Sequence, residues 1–219
     1  MSDERTVTET RDVSGFDGVT LRGFGSVTIT QGDHTALTIE AEEDVMPRVT
    51  AEVEDGVLVL GLRRAGWVNG LKRKRLSIKF SITMDQIRKL ILSGVGRIDA
   101  PCVDADGLSL VVSGAGAIEV GALSAESLSV ILSGAGSCEV AGKTVSQNIN
   151  LSGAGNYKAP DLECVTANAV VSGAGNVTIH VQDTLDANIS GTGSIRYHGA
   201  PTVRQRVTGI GTVTCTCND

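Results

Sequence analysis

Acidic side chains recur at a fixed distance from a glycine motif, and carboxylate pairs of this kind can cleave polysaccharides. Asp99, Glu119 and Glu139 each stand six residues after the start of a Ser-Gly-x-Gly unit. Stacked repeats would bring them into one column, as a carbohydrate-active β-helix enzyme of the polysaccharide lyase or hydrolase type requires. In the next three units the same position holds Lys158, Thr178 and Arg196. Mixed charges favour a solvated outer face with pairing between neighbouring coils. The sequence therefore predicts no enzyme, and the carbohydrate-active enzyme is the alternative.

The histidines add no catalytic pattern. The chain has three, His34, His180 and His198, and no two have the short spacing of metal-ligand or catalytic motifs. No Gly-x-Ser-x-Gly motif for a serine nucleophile occurs either. We therefore expect no catalytic residue, no bound metal and no cofactor.

The five cysteines are expected to be small buried side chains rather than ligands. Cys138 and Cys215 stand at inward-facing repeat positions, and Cys102 and Cys164 stand near the middle of their coils. Cys215 and Cys217 are too close together for a familiar zinc pattern. An odd number of cysteines also argues against a fully paired disulfide framework.

Residues 63–75, RRAGWVNGLKRKR, form the one strongly basic segment of a chain whose net charge is -6. The acidic balance of the whole chain argues against general nucleic-acid binding. A solvated loop with one hydrophobic anchor is the simpler interpretation. The alternative is a loop that contacts an anionic ligand or surface. The residues that would make this contact are Arg63, Arg64, Trp67, Lys72, Arg73, Lys74 and Arg75.

The element that must position all these groups is a repeat of about 18–20 residues. Its Ser-Gly-x-Gly signal starts at Ser93, Ser113, Ser133, Ser152, Ser172, Ser190 and, as Thr-Gly-Ile-Gly, at Thr208. Apolar residues two positions apart flank each signal, and this is the period of a strand with one buried face. A helical repeat would not tolerate 27 glycines. The sequence therefore predicts an all-β, single-stranded parallel β-helix in which each glycine pair forms a corner.

The rest of the chain is expected to continue this solenoid less regularly. Residues 1–10 are predicted to be a disordered tail, and residues 11–92 to form irregular coils with a hairpin around Asp55-Gly56. Residues 93–219 carry the regular repeats and form one continuous domain with 11–92. No run of 18 apolar residues occurs, so no transmembrane segment is predicted. The polar start of the chain does not read as a secretion signal.

The third residue of each Ser-Gly-x-Gly unit should point outward, because it alternates with buried neighbours. Stacking would align these small, mainly apolar side chains into a flat strip, and such surfaces often mark interfaces. The strip consists of Val95, Ala115, Ala135, Ala154, Ala174, Thr192 and Ile210. It predicts a homo-oligomer formed by lateral packing of strips or by end-to-end stacking of coils.

Three stretches carry a family resemblance together with the serial Ser-Gly-x-Gly units. They are RDVSGFD at 11–17, GSVTITQG at 25–32 and LTIEA at 37–41. Over residues 11–215 the chain resembles a bacterial family of unknown function, the putative auto-transporter adhesin, head GIN domain family. The resemblance implies a right-handed parallel β-helix, no established catalytic residues, and a cell-surface or extracellular location. The polar start of the chain leaves an intracellular location as the alternative. It implies a non-enzymatic structural or adhesive role, with a polysaccharide, a protein or another copy of the chain as partner.

Overall fold

The computed structural model describes residues 5–63 and 77–216, and this part of the chain is almost entirely β-strand. It contains no α-helix, and Met46–Arg48 forms one 3-10 turn. The strands are β1 Thr6–Arg11, β2 Gly18–Leu21, β3 Phe24–Gln31, β4 Ala36–Glu42, β5 Val49–Glu54, β6 Val57–Leu62, β7 Lys79–Met84, β8 Lys89–Leu92, β9 Val95–Val112, β10 Ala115–Leu132, β11 Ser137–Leu151, β12 Asn156–Val171, β13 Asn176–Ile189, β14 Ser194–His198, β15 Thr202–Val207 and β16 Thr212–Cys215. The all-β prediction is confirmed.

The long strands β9 to β13 each wind once around a common core and pair in parallel with the coil on either side. Val130, for example, pairs with Leu110 in the preceding coil and with Ile149 in the following one. The whole forms a β-solenoid of about six turns. The predicted parallel β-helix is therefore confirmed.

The Ser-Gly-x-Gly units form a sharp corner in every coil. The backbone N–H groups of Ser113 and Gly114 both donate to the carbonyl oxygen of Leu92, over 3.0 and 3.1 Å. A Cβ atom on Gly114 would lie only 1.9 Å from the carbonyl oxygen of Gly94 in the coil below. Glycine is needed here because the two backbones touch at the corner.

The core is a narrow column of aliphatic side chains that runs the length of the solenoid. Ile118 and Val130 are fully buried, while Glu119 and Ser129, one position away, are half-buried on the outside. Alternation with period two thus sets which side chains are inside, as the sequence predicts.

The first coil of the chain does not lie at the end of the stack. In β2, Val19 pairs with Leu58 of β6 on one side and with Leu90 of β8 on the other. In β3, Val27 likewise lies between β7 and β9. The coil made by β2 and β3 is therefore inserted between the coil of β6 and β7 and the first regular coil.

Antiparallel strands close the N-terminal end of the solenoid. The strand β4 pairs antiparallel with β1 on one side and with β7 on the other, and β5 pairs antiparallel with β6. The predicted hairpin at Asp55-Gly56 is present, with φ angles of 49° and 75°. A disordered tail was predicted for residues 1–10. That prediction is wrong for residues 6–10, which belong to β1, where Thr6 already pairs with Glu42.

The side chain of Gln31 fastens the irregular part to the regular coils. Its Nε2 donates to the carbonyl oxygens of Asp85 and Asp104, over 2.9 and 2.8 Å. Its Oε1 accepts from the backbone N–H of Asp104 at 2.7 Å. One amide side chain thereby satisfies backbone groups in two neighbouring coils, which fixes their positions relative to β3.

Candidate functional site

The corner strip is defined here as the third residue of each Ser-Gly-x-Gly unit, and the structure places its members in one exposed row. Each one pairs through its backbone with the coil below: the N–H of Ala135, for example, donates to the carbonyl oxygen of Gly114 at 3.2 Å. All seven side chains are exposed. They are Val95, Ala115, Ala135, Ala154, Ala174, Thr192 and Ile210. The outward orientation agrees with the alternation, and the role of the strip as an interface stays a prediction.

Phe24 extends the corner strip by one coil. It lies in register with Val95, and 43% of its surface is exposed. The signal was already present in the sequence, because Gly23-Phe24-Gly25 matches the corner motif without its serine. The two ends of the strip thus carry its largest apolar side chains, Phe24 and Val95 at one end and Ile210, 84% exposed, at the other.

Arg63 is the one residue of the predicted basic segment that the structure describes, and it directly follows β6. In β6, Leu60 pairs with Leu21 of the neighbouring coil. Arg63 is exposed, and its Nη2 lies 3.9 Å from Glu52 Oε1. The other predicted contacts lie outside the described residues, and the anionic-ligand role stays a prediction for Arg64, Trp67, Lys72, Arg73, Lys74 and Arg75.

The three acidic side chains do form a column, but an arginine side chain pairs with two of them. Asp99, Glu119 and Glu139 are direct neighbours in β9, β10 and β11. The guanidinium of Arg97 forms ion pairs with both Asp99 and Glu119. Its hydrogen bond to Asp99 raises the pKa of Arg97, so the guanidinium stays charged. This geometry is the charge pairing expected of a solvated outer face.

Below the surface, the coils of β11 to β13 hold a polar network that the sequence did not predict. Tyr157 donates its hydroxyl hydrogen to Gln147 Oε1 at 3.1 Å, and Gln147 Nε2 donates to Cys164 Sγ at 2.8 Å. Cys164 in turn donates to the carbonyl oxygen of His180 at 3.2 Å. Gln147 is 2% exposed. Its side chain therefore needs these partners, since an unpaired buried amide is costly.

Burial makes the inner thiols and the inner phenol poor acids. It raises the pKa of Cys138 and of Cys164 and holds the pKa of Tyr157 well above its usual value. The thiolate is the reactive form of cysteine, so Cys138 and Cys164 are unsuited to nucleophilic chemistry. The structure supports their assignment as small core side chains.

The prediction of burial is wrong for Cys102, which is exposed. Pro101 and Cys102 are both exposed and Val103 is buried, so the alternation changes phase at this bend. Cys215 is partly buried, and Cys217 lies outside the described residues.

Two histidines that look unrelated in sequence are neighbours in space. His180 and His198 are paired residues of β13 and β14, and their ring centroids are 6.3 Å apart. In the sequence they are one coil length apart, which already indicates that they are neighbours in a solenoid, but a search for short metal-binding or catalytic motifs does not detect this spacing. Within residues 5–63 and 77–216, no three histidine, cysteine or acidic side chains come together in a way that could hold a metal ion.

Several solved structures share this architecture. A putative adhesin of Bacteroides fragilis superposes with a TM-score of 0.89 at 24% identity, over 97% of this chain and 98% of that chain. A putative adhesin and a putative lipid binding protein of Parabacteroides distasonis each give a TM-score of 0.73, at 23% and 22% identity over 98% of both chains. At these identities the likeness shows a shared fold. Within the described residues, no helix is long and apolar enough to cross a membrane.

Family membership follows from the sequence over most of the chain. Comparison with curated proteins found no match. A family model described as putative auto-transporter adhesin, head GIN domain, matches residues 15–201. That span includes the irregular coils and six of the seven corner units, and the resemblance carried by those motifs is confirmed. The description of the family as putative adhesins suggests a non-enzymatic, adhesive role. The chain belongs to the putative auto-transporter adhesin, head GIN domain family.

Proposed function

We propose that this protein is a non-enzymatic adhesive β-solenoid that acts at the cell surface or outside the cell and binds further copies of itself through the corner strip. The observation that carries the proposal is the straight, exposed row of small side chains, with one member in each coil from Val95 to Ile210. Phe24 lengthens the row at its N-terminal end.

The shape of the strip suits contact between two identical rows. Alanine loses no side-chain rotamer entropy when it is buried, so Ala115, Ala135, Ala154 and Ala174 can be covered at little entropic cost. Each row repeats at the strand spacing of about 4.8 Å, so two copies turned by a two-fold rotation can place their side chains between one another. Such an isologous contact uses the same surface on both partners.

The apolar ends of the strip would supply most of the hydrophobic gain. Phe24 is 43% exposed, Val95 52% and Ile210 84%. In an antiparallel arrangement of two strips, the end of one that holds Phe24 and Val95 would meet the end of the other that holds Ile210. Burial of apolar surface contributes about 25 cal/mol for each Å² removed from water.

The adhesive role and the family both support the proposed location. A protein that joins cells or matrices must be displayed on the outside, and the names of the family and of two solved relatives describe adhesins. These names support the cell-surface or extracellular location as part of this proposal.

A bead-aggregation assay tests this function. Beads coated with the protein should clump with one another in the absence of any other protein, because strips on facing beads can pair. Beads coated with the variant Phe24→Ser, Val95→Ser, Ile210→Ser should stay dispersed. The control variant Val145→Ser, Val165→Ser removes exposed apolar side chains elsewhere, 55% and 39% exposed, and should clump normally. Dispersed beads with the unmodified protein would refute homophilic adhesion.

A further inference from the structure

A second surface lies on the strands that precede the corners, away from the corner strip. It is a groove of about 510 Å³ that crosses several coils. Two columns of outward side chains line it, and neighbours within a column come from consecutive coils. The columns are Ser127, Ser146 and Thr166, and Ser129, Asn148 and Asn168. The volume is within the range of small-molecule sites, about 300–1,000 Å³. We refer to it as the polar groove.

The middle of the polar groove offers hydrogen-bonding groups without charge. Among the described residues that line it, the ionisable side chains stand at the two ends, Arg88 at one and Asp186 at the other. Each has an ion-pair partner: Arg88 Nε is 3.6 Å from Asp17 Oδ2, and Asp186 Oδ1 is 3.9 Å from Arg204 Nη1. Hydroxyl and amide groups in an uncharged groove match a ligand that is polar and neutral.

The spacing of the columns discriminates between polymeric ligands. A ligand that follows the groove crosses the strands and meets equivalent side chains about every 4.8 Å. An extended peptide advances about 3.3 Å per residue, and the side chains on one of its faces recur only about every 6.6 Å, so it loses register with the columns. An extended chain of β-1,4-linked six-membered sugar rings advances by close to the coil spacing for each ring. Because successive rings are turned over, the same hydroxyl groups face the groove at every second coil, and the chain stays in register with the columns.

The two asparagines of the groove are held in place before any ligand binds. Asn168 Nδ2 donates to Asn148 Oδ1 over 3.2 Å, from one coil to the next. Both side chains are exposed. The bond between them uses one N–H of Asn168 and the Oδ1 of Asn148, so it does not use the other N–H and the Oδ1 of Asn168 or the Nδ2 of Asn148. A sugar hydroxyl both donates and accepts, so the pair can bind hydroxyl groups of consecutive rings with little loss of side-chain freedom.

We propose that the polar groove binds an uncharged, extended polysaccharide whose chain runs along the solenoid axis, with one sugar ring over each coil. Asn148 and Asn168 bind its hydroxyl groups, and the serine and threonine hydroxyls of the two columns complete the contacts. This activity goes beyond the proposed self-association and uses a different face of the coil. Adhesion to a glycan surface and adhesion between copies are then separate properties of one molecule.

Titration calorimetry of the full chain with defined hexasaccharides tests the proposal. The neutral probes are the β-1,4-linked hexamers of glucose, mannose and N-acetylglucosamine, and the acidic probe is hexagalacturonate. We expect at least one neutral hexamer to bind, and more tightly than hexagalacturonate. In the variant Asn148→Ala, Asn168→Ala its affinity should fall about tenfold or more, as the loss of two hydrogen bonds implies.

The matched control is Asn156→Ala, Asn176→Ala. These asparagines form the same kind of ladder after the corner, with Nδ2 of Asn176 donating to Oδ1 of Asn156 at 3.0 Å, but they do not line the groove. The control should bind the hexamer as the unmodified protein does, and circular dichroism should show that both variants fold. The proposal is overturned if no neutral hexamer binds, if hexagalacturonate binds at least as tightly, or if both variants weaken binding equally.

Discussion

The irregular coils before residue 93 and the regular coils after it share one core and differ in how that core is enclosed. From β9 to β13, consecutive strands pair in parallel in the order of the sequence. In the earlier part, the coil of β2 and β3 lies between two later ones, and antiparallel strands close the end. The same inward alternation therefore supports two different connection patterns.

The difference shows that apolar residues at every second position determine which face of a strand is buried, but not which other strand it pairs with. Any two coils with matching apolar columns can stack, so the order of stacking depends on the corners and on the strand edges. The outermost strand β1 carries Glu9 and Arg11, whose side chains pair at 2.8 Å, and β5 carries Glu52 and Glu54. Charged edges of this kind discourage further strand addition. The N-terminal part closes the stack, and the regular part presents surfaces.

The largest expected effect comes from placing a charge in the core of either region, and it tests whether both regions share one core. Val130→Asp in a regular coil and Val27→Asp in β3 each bury a carboxylate at a position no more than 1% exposed. Both should lower the free energy of unfolding by about 4 kcal/mol or more. Denaturant unfolding measures this, with Glu119→Ala as the control. That variant loses only an exposed ion pair and should change stability by less than about 1 kcal/mol. A mild Val27→Asp beside a severe Val130→Asp would mean that the N-terminal coils do not share the core.

Two glycine substitutions compare how much an added side chain destabilises a corner of the regular coils and the hairpin of the irregular part. Gly114→Ala places a Cβ atom 1.9 Å from the carbonyl oxygen of Gly94 and must push two coils apart, which should cost about 3 kcal/mol. Gly56→Ala in the hairpin has open space around it but requires a φ of 75°, so it should cost about 1–2 kcal/mol. Thermal unfolding of both variants checks the order. The comparison fails if the hairpin variant is the less stable of the two.

A smaller effect comes from the polar network inside the regular coils. Tyr157→Phe leaves Gln147 Oε1 without its donor and should destabilise by about 1–3 kcal/mol. Adding Gln147→Leu should restore part of the loss, because leucine occupies the corresponding position in the two preceding coils, as Leu108 and Leu128. A double-mutant cycle measures the coupling. Strictly additive losses would show that the hydrogen bond contributes nothing to stability.

Much of the fold could be predicted from the sequence because alternation and coil period are local signals. They correctly placed Ile118 and Val130 in the core and Glu119 on the outside. The inserted position of the β2–β3 coil could not be predicted, since no local residue specifies which parallel neighbour a strand selects. The buried network could have been anticipated: Gln147 stands at an inward position that is leucine in neighbouring coils, and Tyr157 stands in the column of Ile118 and Cys138.

For the candidate site, the outward direction of the corner strip followed from the same alternation, whereas its extension to Phe24 required the pairing of β3 with β9. The polar groove was not predicted. Its two columns read as ordinary outward serine, threonine and asparagine residues, and the register between coils is what aligns them along one groove. Burial of Cys102 was wrongly predicted because the bend at Pro101 shifts the phase of the alternation.

The most direct test of the central claim, that the regular coils associate through the corner strip, is light scattering across protein concentration. The unmodified protein should show a weight-average mass that rises from that of the monomer to at least twice that value. Ala115→Glu, Ala135→Glu, Ala154→Glu should remain monomeric at every concentration, because like charges would face one another across the interface. A control with Val145→Glu and Val165→Glu should associate normally. A monomeric mass for the unmodified protein at high concentration, or association that survives the three strip substitutions, would contradict the account.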